Sequence, residues 1–236
     1  MTLTATGALD RTGVWAYRCM MATISPPFTL HPGIREGERS RRQTLIDAAY
    51  ELLDEGGLEE LTIRAVLART GLARRAFYEC FQGKDDLVLA VFDSSLRAAA
   101  LQFRDITGQC ASPEEALRAV VTGIVVGQLG YDNMGANRRG AALSREHLRL
   151  AQTRQGELQS ALQPLLDEIA GHVSDGIAAG RFRDADPQLQ ARLIYNLVST
   201  TVHTVLLAEE GGTADPRERS ALAEAIWEFC RRGIMA

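Results

Sequence analysis

Two short helix-forming stretches meet at a glycine in Thr62–Phe81, TIRAVLARTGLARRAFYECF, and this spacing constrains the fold more than any other part of the chain. Thr62 stands where an N-cap belongs, ahead of Ile63, Val66 and Leu67. Gly71 interrupts after about two turns, and Arg74–Phe81 resumes a helical pattern. The chain must reverse tightly at Gly71, where a Cβ would be strained. Leu67 and Leu72 can then pack the two helices together while Arg74, Arg75 and Tyr78 project away. This is a helix-turn-helix arrangement.

Helical periodicity continues on both sides. Upstream, Leu45, Ile46, Ala49, Leu52 and Leu53 repeat on one helix face, and Gly56-Gly57 is expected to close that helix with a left-handed C-cap. Downstream, a helix begins near Lys84 and runs through Leu87, Val91 and Leu96 toward Ile106. Ser112-Pro113-Glu114-Glu115 combines a cap, a proline in the first turn and two acids, and opens a helix to about Gly130. Further helices are expected over 137–150, over 153–179, from Asp186-Pro187 to Glu210, and from Pro216 to Arg232. No stretch alternates at period two, so the fold class is all-α. Residues 1–38, with Pro26, Pro27 and Pro32, read as a flexible arm holding at most a short helix near Val14–Met21, and Met20-Met21 offers an alternative translation start.

Composition excludes several classes. Hydrophobic residues make up 46% and charged ones 24%, an ordinary globular mix. The uncharged stretches Ala119–Tyr131 and Leu193–Ala208 fall short of the ~20 residues of a bilayer span, and Gly13–Tyr17 is too short for a signal peptide. Cys19, Cys80, Cys110 and Cys230 are scattered without a CxxC pair, which reads as reduced thiols in a cytoplasmic protein and as no metal site. There is no Gly-rich phosphate loop after a strand, no HExxH pair and no defensible Ser-His-Asp order, so neither an enzyme nor a cofactor is expected.

The chemistry that remains lies in the arginines. Arginine near the start of a short helix in a major groove can hold guanine O6 and N7 together, and Tyr78 can reach a phosphate or a thymine methyl. Net charge is −4, and residues 35–84 carry nine basic and nine acidic groups, so the basic groups must gather on one surface. The acids concentrate in the first helix and its turn. If each subunit of a dimer neutralises about four phosphates, affinity should fall with salt at a log–log slope near about −7.

Residues 39–99 resemble the DNA-binding domain of the TetR family of bacterial transcriptional regulators. The likeness rests on a basic first helix, Gly57, Thr62, Ala68, Gly71, Phe77-Tyr78-x-x-Phe81 and Lys84-x-x-Leu87, with Arg-Arg-x-Phe-Tyr-Glu at Arg74–Glu79. It implies DNA contacts from Arg41, Arg42, Thr62, Arg74, Arg75, Tyr78 and Lys84, with Thr62 and Lys84 at helix starts that face phosphates. Two positions depart from the family: Ala73 replaces the usual Ser or Thr cap, and Leu67 a usual alanine. The resemblance further implies an N-terminal three-helix DNA-binding domain and a ligand-binding and dimerisation domain over 100–236. The Gly180-Arg181-Phe182 run and the ending Trp227–Gly233 carry it there.

Leu193–Ala208 has no charge around its circumference and should be buried on several sides, packed on its own core and a partner. With Leu222, Ala225, Ile226 and Phe229 of the last helix it would form an intersubunit four-helix bundle. Asn196, Ser199, Thr200 and His203 on that segment read first as polar groups satisfied within an interface, and second as the wall of a ligand pocket. The partners expected are double-stranded operator DNA, a second copy of the chain and a small-molecule effector, with no membrane. The leading reading is a repressor released from a pseudo-palindromic operator by its ligand. An activator or ligand-independent regulator of the same fold, and a helical protein-interaction scaffold, are the alternatives.

Overall fold

The structure, a computed structural model, describes residues 36–129, 134–208 and 215–236. The expected arm, its short helix near Val14–Met21, and the Gly211-Gly212 stop lie outside the described residues. Nine helices account for the order among those described: α1 Glu36–Glu60, α2 Ile63–Thr70, α3 Arg74–Cys80, α4 Lys84–Thr107, α5 Pro113–Leu129, α6 Met134–Thr153, α7 Gln155–Ala178, α8 Pro187–Ala208 and α9 Pro216–Ile234. None of them is long and apolar enough to cross a membrane.

Helices α1 to α4 make the N-terminal unit. Leu45, Leu53, Leu61, Val66 and Phe77 are fully buried at its centre, and α1 packs on α2, α3 and α4. The expected stop at Gly57 is corrected in part. Gly57 has φ 69° and ψ −150°, outside helical space, yet helical turns resume to Glu60. The kink brings Leu61, with no exposed surface, into the core.

Helix α5 is the axis of the C-terminal bundle. Leu117, Val120, Val121, Val125 and Leu129 are fully buried as α4, α6, α7, α8 and α9 pack around it. Its start is capped as the sequence suggests: the Glu115 N–H donates to Ser112 Oγ at 3.2 Å, and the Ala111 N–H donates to Glu115 Oε2 at 2.9 Å. The chain end returns to the α7–α8 turn, where Phe182 pairs with Met235 and the Arg183 N–H donates to the Ile234 carbonyl at 2.9 Å. The run Gly180-Arg181-Phe182 therefore meets the residues that follow Trp227–Gly233.

Helix α4 runs unbroken across residue 99, and one buried apolar cluster continues from the N-terminal unit into the bundle. Each of the last two helices turns one side to the chain's own core. Within one chain α8 is buried on one side, with Ile194, Val198 and Val202 inside and Leu193 and Leu189 exposed at 55% and 44%. On α9, Ile226 belongs to the chain's own core, whereas Ala225 is exposed and Phe229 is 70% exposed.

Candidate nucleic-acid interface

The turn is built from caps. Thr62 sits in extended backbone and its Oγ1 accepts from the Ala65 N–H at 3.0 Å. Gly71 adopts φ 67°, ψ 8°, and its N–H donates to the Leu67 carbonyl at 3.0 Å. Ala73 has the φ −68°, ψ 149° of an N-cap but supplies no side-chain acceptor. Phe77 and Phe81 anchor α3 from below, with ring centres 5.6 Å apart, and Leu67 and Leu72 pack at its edge, half-buried. An amphipathic helix of seven residues seated on Phe77 must turn its other face outward. Arg74, Arg75 and Tyr78 stand on that face, with Tyr78 46% exposed.

The outward side chains are not loose. Arg74 Nη2 lies 3.4 Å from the Tyr78 hydroxyl, with its guanidinium 5.6 Å from the ring centre. Arg75 Nε donates to Glu79 Oε1 at 3.0 Å, and Arg41 Nη1 donates to Glu79 Oε2 at 3.1 Å. The expectation that acids keep to the first helix thus meets an exception in the middle of the basic face.

Two residues grouped with these from sequence are placed differently. Arg42 is half-buried, lies 4.5 Å over the Phe81 ring and donates to the Cys80 carbonyl at 3.3 Å; burial lowers its pKa. It lines a cleft of about 390 Å³ between α1, α4 and α7, whose Arg97–Asp93 and Arg154–Asp86 pairs face it. Lys84 is half-buried and donates from Nζ to the Leu58 carbonyl at 3.2 Å, which ties the start of α4 to the end of α1.

The sequence reading missed how α6 grips the N-terminal unit. Arg139 pairs with Asp54, Arg138 donates to the Glu55 carbonyl, and Arg149 pairs with Asp85 at 2.8 Å. The arginines at 138, 139 and 149 were a signal, but only contact order across some sixty to eighty-five residues gives them partners. Inside the bundle His147 packs between Phe92 and Tyr195, and His203 Nδ1 lies 2.8 Å from Ser144 Oγ. Burial lowers the His147 pKa, with His203 adding to the effect. The expected polar stripe on α8 therefore splits: Ser199 and His203 are half-buried, Asn196 and Thr200 exposed.

Comparison with known proteins agrees with this architecture. Residues 45–91 match the family described as bacterial regulatory proteins, tetR family. The fatty acid metabolism regulator protein of Bacillus subtilis is 21% identical, over 84% of this chain and 97% of its own length. The HTH-type transcriptional regulator BetI of Brucella anthropi is 29% identical over 36% of this chain and 43% of its own. Among solved structures, FadR from Bacillus subtilis in complex with stearoyl-CoA superposes with a TM-score of 0.65 at 21% identity, covering 81% of this chain and 98% of that one. A helix-turn-helix with a basic outer face, carried on a helical bundle and matched in register, identifies a DNA-binding regulator whose residues 45–91 are those of the tetR family of bacterial regulatory proteins.

Proposed function

We propose that this regulator is a homodimeric, cytoplasmic repressor that holds a pseudo-palindromic operator through Thr62, Arg74, Arg75, Tyr78 and Arg41. Arg42 and Lys84 serve the same face by fixing the starts of α1 and α4. Residues 39–99 form the DNA-binding domain, 100–236 the regulatory and dimerisation domain, and 1–38 an arm. The observation that carries this reading is the short helix α3, pinned by buried Phe77 and presenting Arg74, Arg75 and Tyr78 outward. Its N-terminal residues suit base edges in a major groove.

A second copy is required to double the cations on one duplex, and α8 and α9 offer the surface. Leu189, Leu193 and Phe229 are exposed, and 193–208 holds no charge to oppose burial. The two recognition helices would then have to sit about 34 Å apart. Helix α4 starts at Lys84 beside the turn and enters the bundle, so an effector that tilts it changes this spacing. Because the related FadR is seen with stearoyl-CoA, long-chain acyl-CoA is the first effector class to test. The function is binding rather than catalysis.

The test is selection of bound genomic fragments followed by gel shift. Arg74→Ala and Tyr78→Ala should each abolish retention of the selected fragment at moderate salt while leaving the fold intact by circular dichroism. Retention that survives both changes places the DNA elsewhere.

A further inference from the structure

Glu79 lies in the middle of the basic face and joins two helices. Its Oε1 takes the Arg75 Nε–H at 3.0 Å, and its Oε2 takes Arg41 Nη1–H at 3.1 Å. Arg41 is held a second time, through Nε to the Gly37 carbonyl at 3.1 Å. One carboxylate therefore spans from the recognition helix to the start of α1, 38 positions away in sequence.

We propose that Glu79 is a specificity-determining positioning residue, and the proposal rests on the DNA-facing reading above. Affinity for any duplex grows with the number of phosphates that mobile cations neutralise, whereas base discrimination needs a guanidinium in a fixed place. Glu79 acts on both terms. Its negative charge offsets part of the positive charge of Arg75 and Arg41, which weakens the hold on DNA of any sequence. At the same time it engages Arg75 through Nε, so the two Nη groups remain to form the fork that matches guanine O6 and N7. An isolated exposed pair of residues four apart is worth little. A carboxylate shared between α1 and α3 instead fixes Arg75 relative to the helix that positions the whole unit on the backbone.

The experiment compares the full chain with Glu79→Gln, which keeps the shape and removes the charge. Anisotropy titrations use the duplex recovered from genomic selection and an unrelated duplex of equal length, from 50 to 200 mM salt. Glu79→Gln should bind the unrelated duplex about tenfold more tightly and steepen the salt slope of the dimer by about two to four. The preference for the selected duplex should fall by about tenfold, with the melting temperature unchanged. Adding Arg41→Gln to Glu79→Gln should recover about half of the change in slope. Glu79→Ala, read in the same way, serves if the Gln variant is not recovered folded. An unchanged slope and preference, in a protein that still discriminates, overturns the role of Glu79 and leaves the DNA-facing reading standing. Loss of affinity for the selected duplex alone, at unchanged slope, shows Glu79 reading a base itself and overturns the proposal. A wild-type chain that prefers no duplex overturns both.

Discussion

Arg139 of α6 and Asp54 of α1 pair across the join between the N-terminal unit and the bundle, with Arg139 Nη1 2.6 and 2.8 Å from the two carboxylate oxygens. The same guanidinium lies 5.2 Å from the Tyr50 ring centre. Both side chains are partly buried, so truncating one strands the other in a poorly solvated place. Arg139→Met should cost about 1–3 kcal/mol of stability at neutral pH, measured by urea denaturation. Burial holds the Asp54 carboxyl above the usual carboxylate range even with Arg139 opposing it. A raised folded pKa means that the penalty is present above it and is relieved as pH falls through it. The cost of Arg139→Met should therefore shrink as the solution is acidified, and a cost that is flat or grows contradicts the assignment.

The two caps of the turn make a matched pair. Thr62→Ala removes the acceptor of the Ala65 N–H and should cost about 1 kcal/mol. Ala73 already has cap geometry without an acceptor, so Ala73→Ser should gain about 0.5–1 kcal/mol. Thermal melting should move by about 2–4 °C in opposite directions for a chain of this size. A fall in melting temperature for Ala73→Ser would show that the start of α3 cannot accommodate the hydroxyl.

Among the described residues, Phe229 and Leu193 are the most exposed large apolar side chains of α9 and α8. Placing a charge at either position should leave the core of one chain untouched and break its pairing with a second. Phe229→Glu is expected to sediment as a monomer and to lose about a hundredfold in affinity for the selected duplex, because two half-sites no longer bind as one. A dimer that persists in Phe229→Glu and in Leu193→Glu moves the interface away from these helices.

Asp85, in the first turn of α4, accepts from Arg149 Nη1 and Nη2 at 2.9 and 2.8 Å. The Arg149 hydrogen bonds hold its carboxyl below the usual range. A depressed folded pKa contributes stability above the unfolded value, near about 4, that is lost as pH falls through the folded one. Asp85→Asn should lower stability at pH 7 and flatten its decline below pH 4. The pair is half-exposed, so solvent screening leaves less than about 1 kcal/mol. Chemical denaturation of both proteins at pH 7 and pH 3 checks the sign.

Cys230 is buried on α9, and burial pushes its thiol up to about 11. At pH 8 its thiolate fraction falls about a hundredfold below that of an ordinary thiol. Iodoacetamide labelling followed by peptide mass mapping should modify Cys230 in the unfolded chain and leave it nearly unmodified in the folded one. Prompt modification in the folded chain would place Cys230 at a mobile end of α9.

The helix-turn-helix was legible because it is local. Thr62, Gly71 and the apolar positions around them act within a few residues of one another, so propensity, capping and periodicity all point the same way. The succession of later helices was legible for the same reason, through Ser112-Pro113 and Asp186-Pro187 at their starts and Gly180 at a stop. Which side of a helix meets the chain's own core was not. Ile226 and Phe229 share the same period and nearly the same hydrophobicity, yet one is buried and the other is 70% exposed.

By itself, then, the sequence determined an all-helical chain with a turn built to carry a basic helix, since each of those choices is made by neighbours along the chain. Only the tertiary structure decided what the charges do. It turned Arg42 onto Phe81 and Lys84 onto the Leu58 carbonyl, and it set Glu79 between Arg75 and Arg41. It also joined α6 to Asp54 and Asp85. A guanidinium or ammonium on a long side chain can serve several partners, and only the packing of helices distant in sequence selects which one it meets.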